Sequence, residues 1–295
     1  MSKRFNTTHN PQTGLSRIVT ASFILIGALV MAWHFYGDFQ STNDYDDIEI
    51  DSGNWYYLPN TKNGKVIHHE HYALSYDEDH EQAEWVAYEL TKNDLRKPNV
   101  KRTNNFRPDP KVRSKSANDN DYRGSGYDRG HLVPAADMAF TKEAMSETFF
   151  MSNISPQVRA FNQGIWRELE ELTRDWAYKS KHLYVVSGPI FGNSREHVGY
   201  NRVTIPDGYF KVLLDLAEPE KKGIAFIIPN EKSSERLNQF ATSIDEAEAQ
   251  TGFDFFPELL EPELEKDLES NFNVKKWPTN EKKYNLRINK WNNVR

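Results

Sequence analysis

The stretch Tyr127-Asp128-Arg129-Gly130-His131-Leu132-Val133-Pro134-Ala135-Ala136-Asp137-Met138 sets an acid, a base, a glycine and an imidazole side by side at positions 128–131. Gly124 and Gly126 stand just before it, where a backbone without Cβ can approach a ligand closely. Leu132 and Val133 predict that His131 lies at the edge of a strand, and Pro134 is expected to end that strand. Downstream, Phe149-Phe150-Met151-Ser152-Asn153-Ile154-Ser155-Pro156-Gln157 leads into a helix expected over Asn162 to Lys179. On that helix Ile165, Leu169, Leu172 and Trp176 form one apolar stripe. Asn162, Trp166, Glu170 and Arg174 recur every four residues along its edge. Taken alone, Glu170 and Arg174 would be an ordinary i,i+4 pair worth about 0.2–0.5 kcal/mol.

Outward from this centre, Tyr72–Tyr76 and Trp85–Leu90 read as a strand pair. His182–Ser187, Tyr209–Leu214 and Gly223–Ile228 read as further strands, and Glu231–Thr251 looks helical. Residues 96–127 are rich in Lys, Arg, Asn, Asp, Ser and Gly and read mostly as loop. The order predicts an α+β domain with a central, mostly antiparallel sheet over residues 55–295. The strongly acidic segment Glu258–Glu269 reads as a solvated face.

Ahead of the domain, residues 1–17 carry Lys3, Arg4 and Arg17 and no acid. The run 18–36 has no charged residue and is closed by Trp33, Phe35 and Tyr36. As a helix it would span about 28 Å, the thickness of a bilayer's hydrocarbon core. Its aromatic end and its basic N-terminal flank predict a single-pass anchor. The N-terminus would then stay cytoplasmic, with the domain on the extracytoplasmic (periplasmic or extracellular) side. A cleaved signal peptide would have a shorter apolar core and small residues before the cut, and a buried soluble helix would be amphipathic. Residues 37–54 hold six acids and no Lys or Arg, as expected for a solvated linker.

The absence of cysteine excludes disulfides, thiolate metal sites and thiol nucleophiles. Any metal must be held by His, Asn, Asp, Glu, backbone oxygen or water, a set that leans to Mg²⁺, with Mn²⁺ or Ca²⁺ as substitutes. The net charge of −6 is the wrong sign for global nucleic-acid binding. Residues 96–115, however, carry eight basic side chains against one acid, Asp109. The run is either a solvated basic loop or a phosphate-holding groove wall, with Asn104, Asn105 and Phe106 placed to contact sugar or base. His68, His69 and His71 lack acidic or cysteine partners at defined spacing and are not read as a metal centre.

With these residues in view, the sequence resembles the DNA/RNA non-specific endonuclease family, the sugar-non-specific nucleases of the ββα-metal superfamily. Asp128-Arg129-Gly130-His131 with Pro134 and Asp137 matches one family block. Asn153 in Asn-Ile-Ser-Pro-Gln matches a second, and Asn162, Glu170 and Arg174 match the helix block. The resemblance implies a ββα active-site motif and hydrolysis of DNA and RNA with little sequence preference. It implies that His131 is the general base, that Asn162 is the direct ligand of one Mg²⁺ and that Glu170 holds a water of that ion. Asn153 supports the site, and Arg129 and Arg174 face the phosphate or brace the helix. Arg102 is the expected transition-state arginine, with Arg107 as competitor. Two other functions fit the same fold: a non-catalytic nucleic-acid binding or uptake module, and a phosphodiesterase on small nucleotides.

Overall fold

Two-residue alternation of apolar side chains builds the centre of the molecule. The computed structural model describes residues 55–192 and 196–293, and Trp55 opens one compact unit. Residues 1–17, the expected span 18–36 and the acidic linker 37–54 lie outside the described residues. Among the described residues no helix is long and apolar enough to cross a membrane.

The first elements are β1 (Lys65–His68), β2 (Ala73–Asp77), β3 (Gln82–Thr91) and the short helix α1 (Lys92–Arg96). After a long loop come β4 (Tyr127–His131), α2 (Lys142–Glu147), β5 (Ile154–Val158) and α3 (Arg167–Ser180). The chain continues through β6 (His182–Ile190), β7 (His197–Val198), β8 (Val203–Thr204), β9 (Gly208–Asp215), β10 (Lys222–Pro229) and β11 (Ala241–Thr242). It closes with α4 (Ile244–Thr251), α5 (Pro262–Ser270) and α6 (Glu281–Asn289).

Seven strands form one sheet in the order β1-β2-β3-β6-β9-β10-β11, antiparallel at every step. The expected α+β fold with an antiparallel sheet is therefore what the chain adopts. Alternate residues divide the core in two. Val86, Tyr88, Val185, Leu213 and Ile224 pack with Ile165, Leu169, Leu172 and Trp176, the apolar stripe of α3 and the turn before it. Trp85, Ala87, Val186, Val212 and Ala225 point the other way and meet Ile244, Ala247, Phe255 and Leu268. Burying such side chains stabilises the fold by about 1.5–3 kcal/mol each.

Four expectations need correction. The strand carrying His131 ends at that residue because its partner begins only at Ile154; one further in-register bond, Leu132 N–H to the Asn153 carbonyl at 3.0 Å, closes the ladder at the 3₁₀ turn Met151–Asn153. Glu231–Thr251 is helical only over α4, where the Ser243 side chain caps Glu246 N–H at 3.1 Å. The residues before it form a short 3₁₀ turn, Leu237–Phe240, and an edge strand that pairs with β10. The expected helix from Asn162 starts as a π-helical turn, Phe161–Trp166, with Gly164 outside helical geometry, and becomes α-helical at Arg167. Finally, the acidic segment is not wholly solvated, since Glu269 is only 3% exposed.

Candidate active site

β4 and β5 pair antiparallel from Tyr127↔Val158 to His131↔Ile154, and the chain then enters the π turn and α3. This strand–strand–helix unit brings the three motif blocks together. The absence of a Cβ at position 130 makes room for the Gln157 side chain, which would otherwise stand 2.1 Å away and have to move. Gly124 and Gly126 do something different from what was expected of them. Both have positive φ, 69° and 85°, and shape the turn into β4 without any close neighbour.

His131 is buried at the end of β4. Its ring lies 4.8 Å from Phe149 and 5.6 Å from Phe106, centroid to centroid. Each phenylalanine is capped by a guanidinium, Arg102 over Phe149 at 5.0 Å and Arg129 over Phe106 at 4.5 Å. Burial, followed by the charges of Arg102 and Arg129, pulls the imidazole down to about 3. The ring is therefore neutral at pH 7. It donates to the Arg129 backbone carbonyl, while Nε2 is buried and has no hydrogen-bond partner. The proton thus sits on Nδ1, and the Nε2 lone pair is unclaimed.

Asn153 holds the backbone just beyond His131. Its Oδ1 accepts from Val133 N–H at 2.8 Å, and its Nδ2 donates to the carbonyls of Val133 at 3.1 Å and Thr148 at 2.9 Å. With its amide engaged in this way, Asn153 fixes the backbone two residues beyond His131.

Asp128 organises the π turn. One carboxylate oxygen accepts from Asn162 Nδ2 at 3.0 Å and Gln163 Nε2 at 3.1 Å, and the other faces Arg159 at 3.0 Å. Drawing the amide nitrogen of Asn162 to Asp128 leaves the amide oxygen as a hard donor. The π turn also breaks the expected ribbon. Trp166 enters the core, stacked at 5.4 Å on Phe161, while Glu170 and Arg174 remain half-buried at the helix edge.

Beneath α3 lies a group of buried charges. Arg174 pairs with Asp137 at 2.7 Å, and Tyr88 donates its hydroxyl to the other Asp137 oxygen at 2.7 Å. Burial pushes the Glu170 carboxyl up, against the pull of Arg174, Lys211 and Arg102. Lys211, fully buried on β9, donates to Ser187 Oγ at 2.8 Å and lies 5.1 Å above the Trp166 ring. Burial pushes Lys211 down, opposed by Glu170 and Asp137. Lys211 was missed in the sequence, although a lysine amid Tyr209-Phe210-Lys211-Val212-Leu213 was a visible signal. A cation inside an apolar strand survives only beside buried acids.

Arg102 and Arg107 are separated by their surroundings. Arg102 acts electrostatically on both His131 and Glu170. Arg107 donates to the Ser146 carbonyl at 2.9 Å and lies 4.0 Å over Phe150, and its charged neighbours are Asp109 and Glu147. Arg129 forms an ion pair with Asp119. Two open grooves adjoin the site. One, of about 510 Å³, is lined by Lys101, Arg102 and Lys142 among others. The second, of about 530 Å³, is lined by Arg123, Arg129 and Arg159 among others. Two of the three clustered histidines are engaged in ion pairs: His69 with Asp109 at 2.9 Å and His71 with Glu147 at 2.8 Å.

A metal fits these donors sparingly. Among the described residues, the carboxylate and imidazole groups clustered tightly enough to share an ion lie elsewhere. The site offers one amide oxygen and one nearby carboxylate, which suits an ion that keeps most of its waters, as Mg²⁺ does.

A neutral buried imidazole at a strand end, acted on by Arg102 and Arg129 and followed in the chain by a turn and helix that carry an amide and a carboxylate, is the arrangement of a hydrolase-type site for anionic substrates. A family model for DNA/RNA non-specific endonucleases matches residues 52–261, and the chain belongs to that family of hydrolases. It is 34% identical to "Nuclease EXOG, mitochondrial" of Danio rerio, over 65% of this chain and 61% of that protein. It is 35% identical to "Endonuclease G, mitochondrial" of Homo sapiens, over 65% of this chain and 69% of that one. A solved complex of EndoG with EndoGI aligns with TM-score 0.64 and 28% identity, over 70% of this chain and 90% of that chain.

Proposed function

We propose that this protein is a metal-dependent non-specific nuclease that hydrolyses phosphodiester bonds in DNA and RNA. The observation that carries this reading is the unclaimed, buried Nε2 of a neutral His131 between two guanidinium groups. His131 takes the proton of the attacking water at Nε2, while the Arg129 carbonyl holds the Nδ1 proton and fixes the tautomer. General-base help contributes about 10²–10⁴-fold, so electrostatic stabilisation must supply much of the remainder. Arg102, beside both His131 and Glu170, suits the charge that develops on the phosphoryl oxygens, and Arg129 suits the adjoining phosphate.

Asn162 would hold Mg²⁺ through its amide oxygen, with Glu170 turned to the ion's water shell. When bound there the ion supplies Lewis-acid neutralisation of the phosphoryl group. Asp128 orients Asn162, and the Arg174–Asp137–Tyr88 chain fixes the lower part of α3. None of these groups reads a base edge, so sequence preference is weak. Lys101, Arg102 and Lys142 beside one groove, and Arg123, Arg129 and Arg159 beside the other, offer the basic path that the acidic average hides.

The test is incubation of the purified full chain with plasmid DNA, RNA and a dinucleotide, with Mg²⁺ and with EDTA. Mg²⁺-dependent loss of both polymers is expected. Binding without cleavage would identify a nucleic-acid binding module, and preference for the dinucleotide a small phosphodiesterase. We further propose that residues 18–36 anchor the chain with the domain on the extracytoplasmic side. Protease protection of the domain in spheroplasts, where the outer face of the cytoplasmic membrane is open to the enzyme, would overturn that topology.

A further inference from the structure

On the side of the sheet away from α3, helices α4 and α5 pack through Ile244, Ala247 and Leu268. They bring together Asp245, Glu248 and Glu269, with one carboxylate oxygen from each within 4.8 Å of the other two. Asp245 is exposed and opens the cluster to solvent, whereas Glu269 is 3% exposed. The Oε1 atom of Glu269 is buried with no hydrogen-bond partner. Glu248 accepts from Phe255 N–H at 2.8 Å. The charged groups acting most strongly on Glu269 are all acids: Glu248, Glu265, Asp245 and Asp254. Burial first and these neighbours second push Glu248 up to about 7 and Glu269 up to about 9.

A buried carboxylate oxygen without a partner is costly, and like charges raise the cost. The second acid-rich cluster differs. In Glu70, His71 and Glu147 the imidazole pairs with Glu147 at 2.8 Å, and Glu147 also accepts from Glu70 N–H at 3.3 Å. Its charges are answered internally, and those between α4 and α5 are not.

We propose that Asp245, Glu248 and Glu269 form a divalent-cation site of the calcium class that clamps α4 to α5, across the sheet from the active site. All three donors are hard oxygens. Ca²⁺ sits about 2.3–2.6 Å from its ligands and tolerates irregular geometry, so one ion can reach three oxygens that all lie within 4.8 Å of one another. Mg²⁺ demands near-ideal octahedral geometry and gives up its waters reluctantly, so it suits a cluster of three protein carboxylates less well.

The test is calcium titration of the metal-stripped full chain by calorimetry and by thermal shift, comparing the parent protein with Glu269→Gln and Asp245→Asn. Calcium should raise the melting temperature of the parent in a saturable way. Glu269→Gln should lose one binding equivalent and that thermal response, while melting no lower than the parent without metal. Asp245→Asn, a surface change that should not threaten folding, should weaken calcium binding at least tenfold. A parent that does not respond to calcium overturns the site, as does an Asp245→Asn protein with unchanged stoichiometry and affinity.

Discussion

Under α3, two acids, the half-buried Glu170 and the buried Asp137, stand with two cations, Arg174 and Lys211. Across the sheet, Asp245, Glu248 and Glu269 stand only with other acids. The same seven strands support both groups, and the difference lies in what each needs from outside. The mixed group is close to neutral by itself, so it can hold α3, and with it Asn162, in place before any ligand arrives. The acidic group is incomplete without a proton or a cation. The first arrangement suits preorganised catalysis, in which charges are fixed before reaction, and the second suits binding coupled to stability.

The largest effect expected on the catalytic side is from His131→Ala. It should lower the rate on plasmid DNA by about 10²–10⁴-fold while the circular dichroism spectrum stays that of the parent. A loss smaller than tenfold would remove His131 from the role of base. Arg102→Ala should cost about 10²–10³-fold in kcat, in the range for loss of one transition-state donor. Arg107→Ala, whose guanidinium is tied to Ser146, should cost less than tenfold, and equal losses would erase the distinction between the two. On the opposite face, Phe255→Ala removes a fully buried ring packed 5.5 Å from Phe210. It should destabilise the fold by about 3–5 kcal/mol in denaturant melts and leave kcat per folded molecule unchanged. A comparable fall in kcat would show that the two faces are coupled.

The smallest effect is a displacement in pH. In the proposed mechanism Glu170 works as the carboxylate, and burial raises its affinity for a proton. Lys211 opposes that rise, so Lys211→Met should move the acid limb of the kcat/KM profile to higher pH, with rates converging at alkaline pH. His131, pulled down to about 3, stays neutral across this range and should not set the limb. If the limb stays in place, Lys211 is a packing residue without electrostatic influence on Glu170.

Much of the fold was legible because its strands alternate and its helix stripe is regular. Ile165, Leu169, Leu172 and Trp176 all enter the core where the period of 3.6 residues places them. Trp166, read on the ribbon along the edge of that stripe, is fully buried, because its ring packs on Phe161 and Tyr209, and Tyr209 comes from a strand distant in sequence. The helix read over Glu231–Thr251 failed for a related reason. Its first half satisfies its backbone through a 3₁₀ turn and an edge strand on β10. His69 and His71 seemed partnerless because Asp109 and Glu147 are distant in sequence and adjacent only in space.

By itself, the sequence determined the composition of the candidate site, since Asp128, Arg129, His131, Asn153, Asn162, Glu170 and Arg174 are clustered in three local blocks with distinctive spacing. It also determined the antiparallel sheet, because alternation is a property of neighbouring residues. Only the tertiary structure decided which charges were answered. Lys211 meets Glu170 through the packing of β9 beneath α3, Arg102 rather than Arg107 stands beside His131, and Glu269 turns inward from a segment that reads as solvated. The physical reason is that the cost of a charge depends on its burial and its partners. Both are set by elements far apart in the chain, whereas period and spacing are written locally.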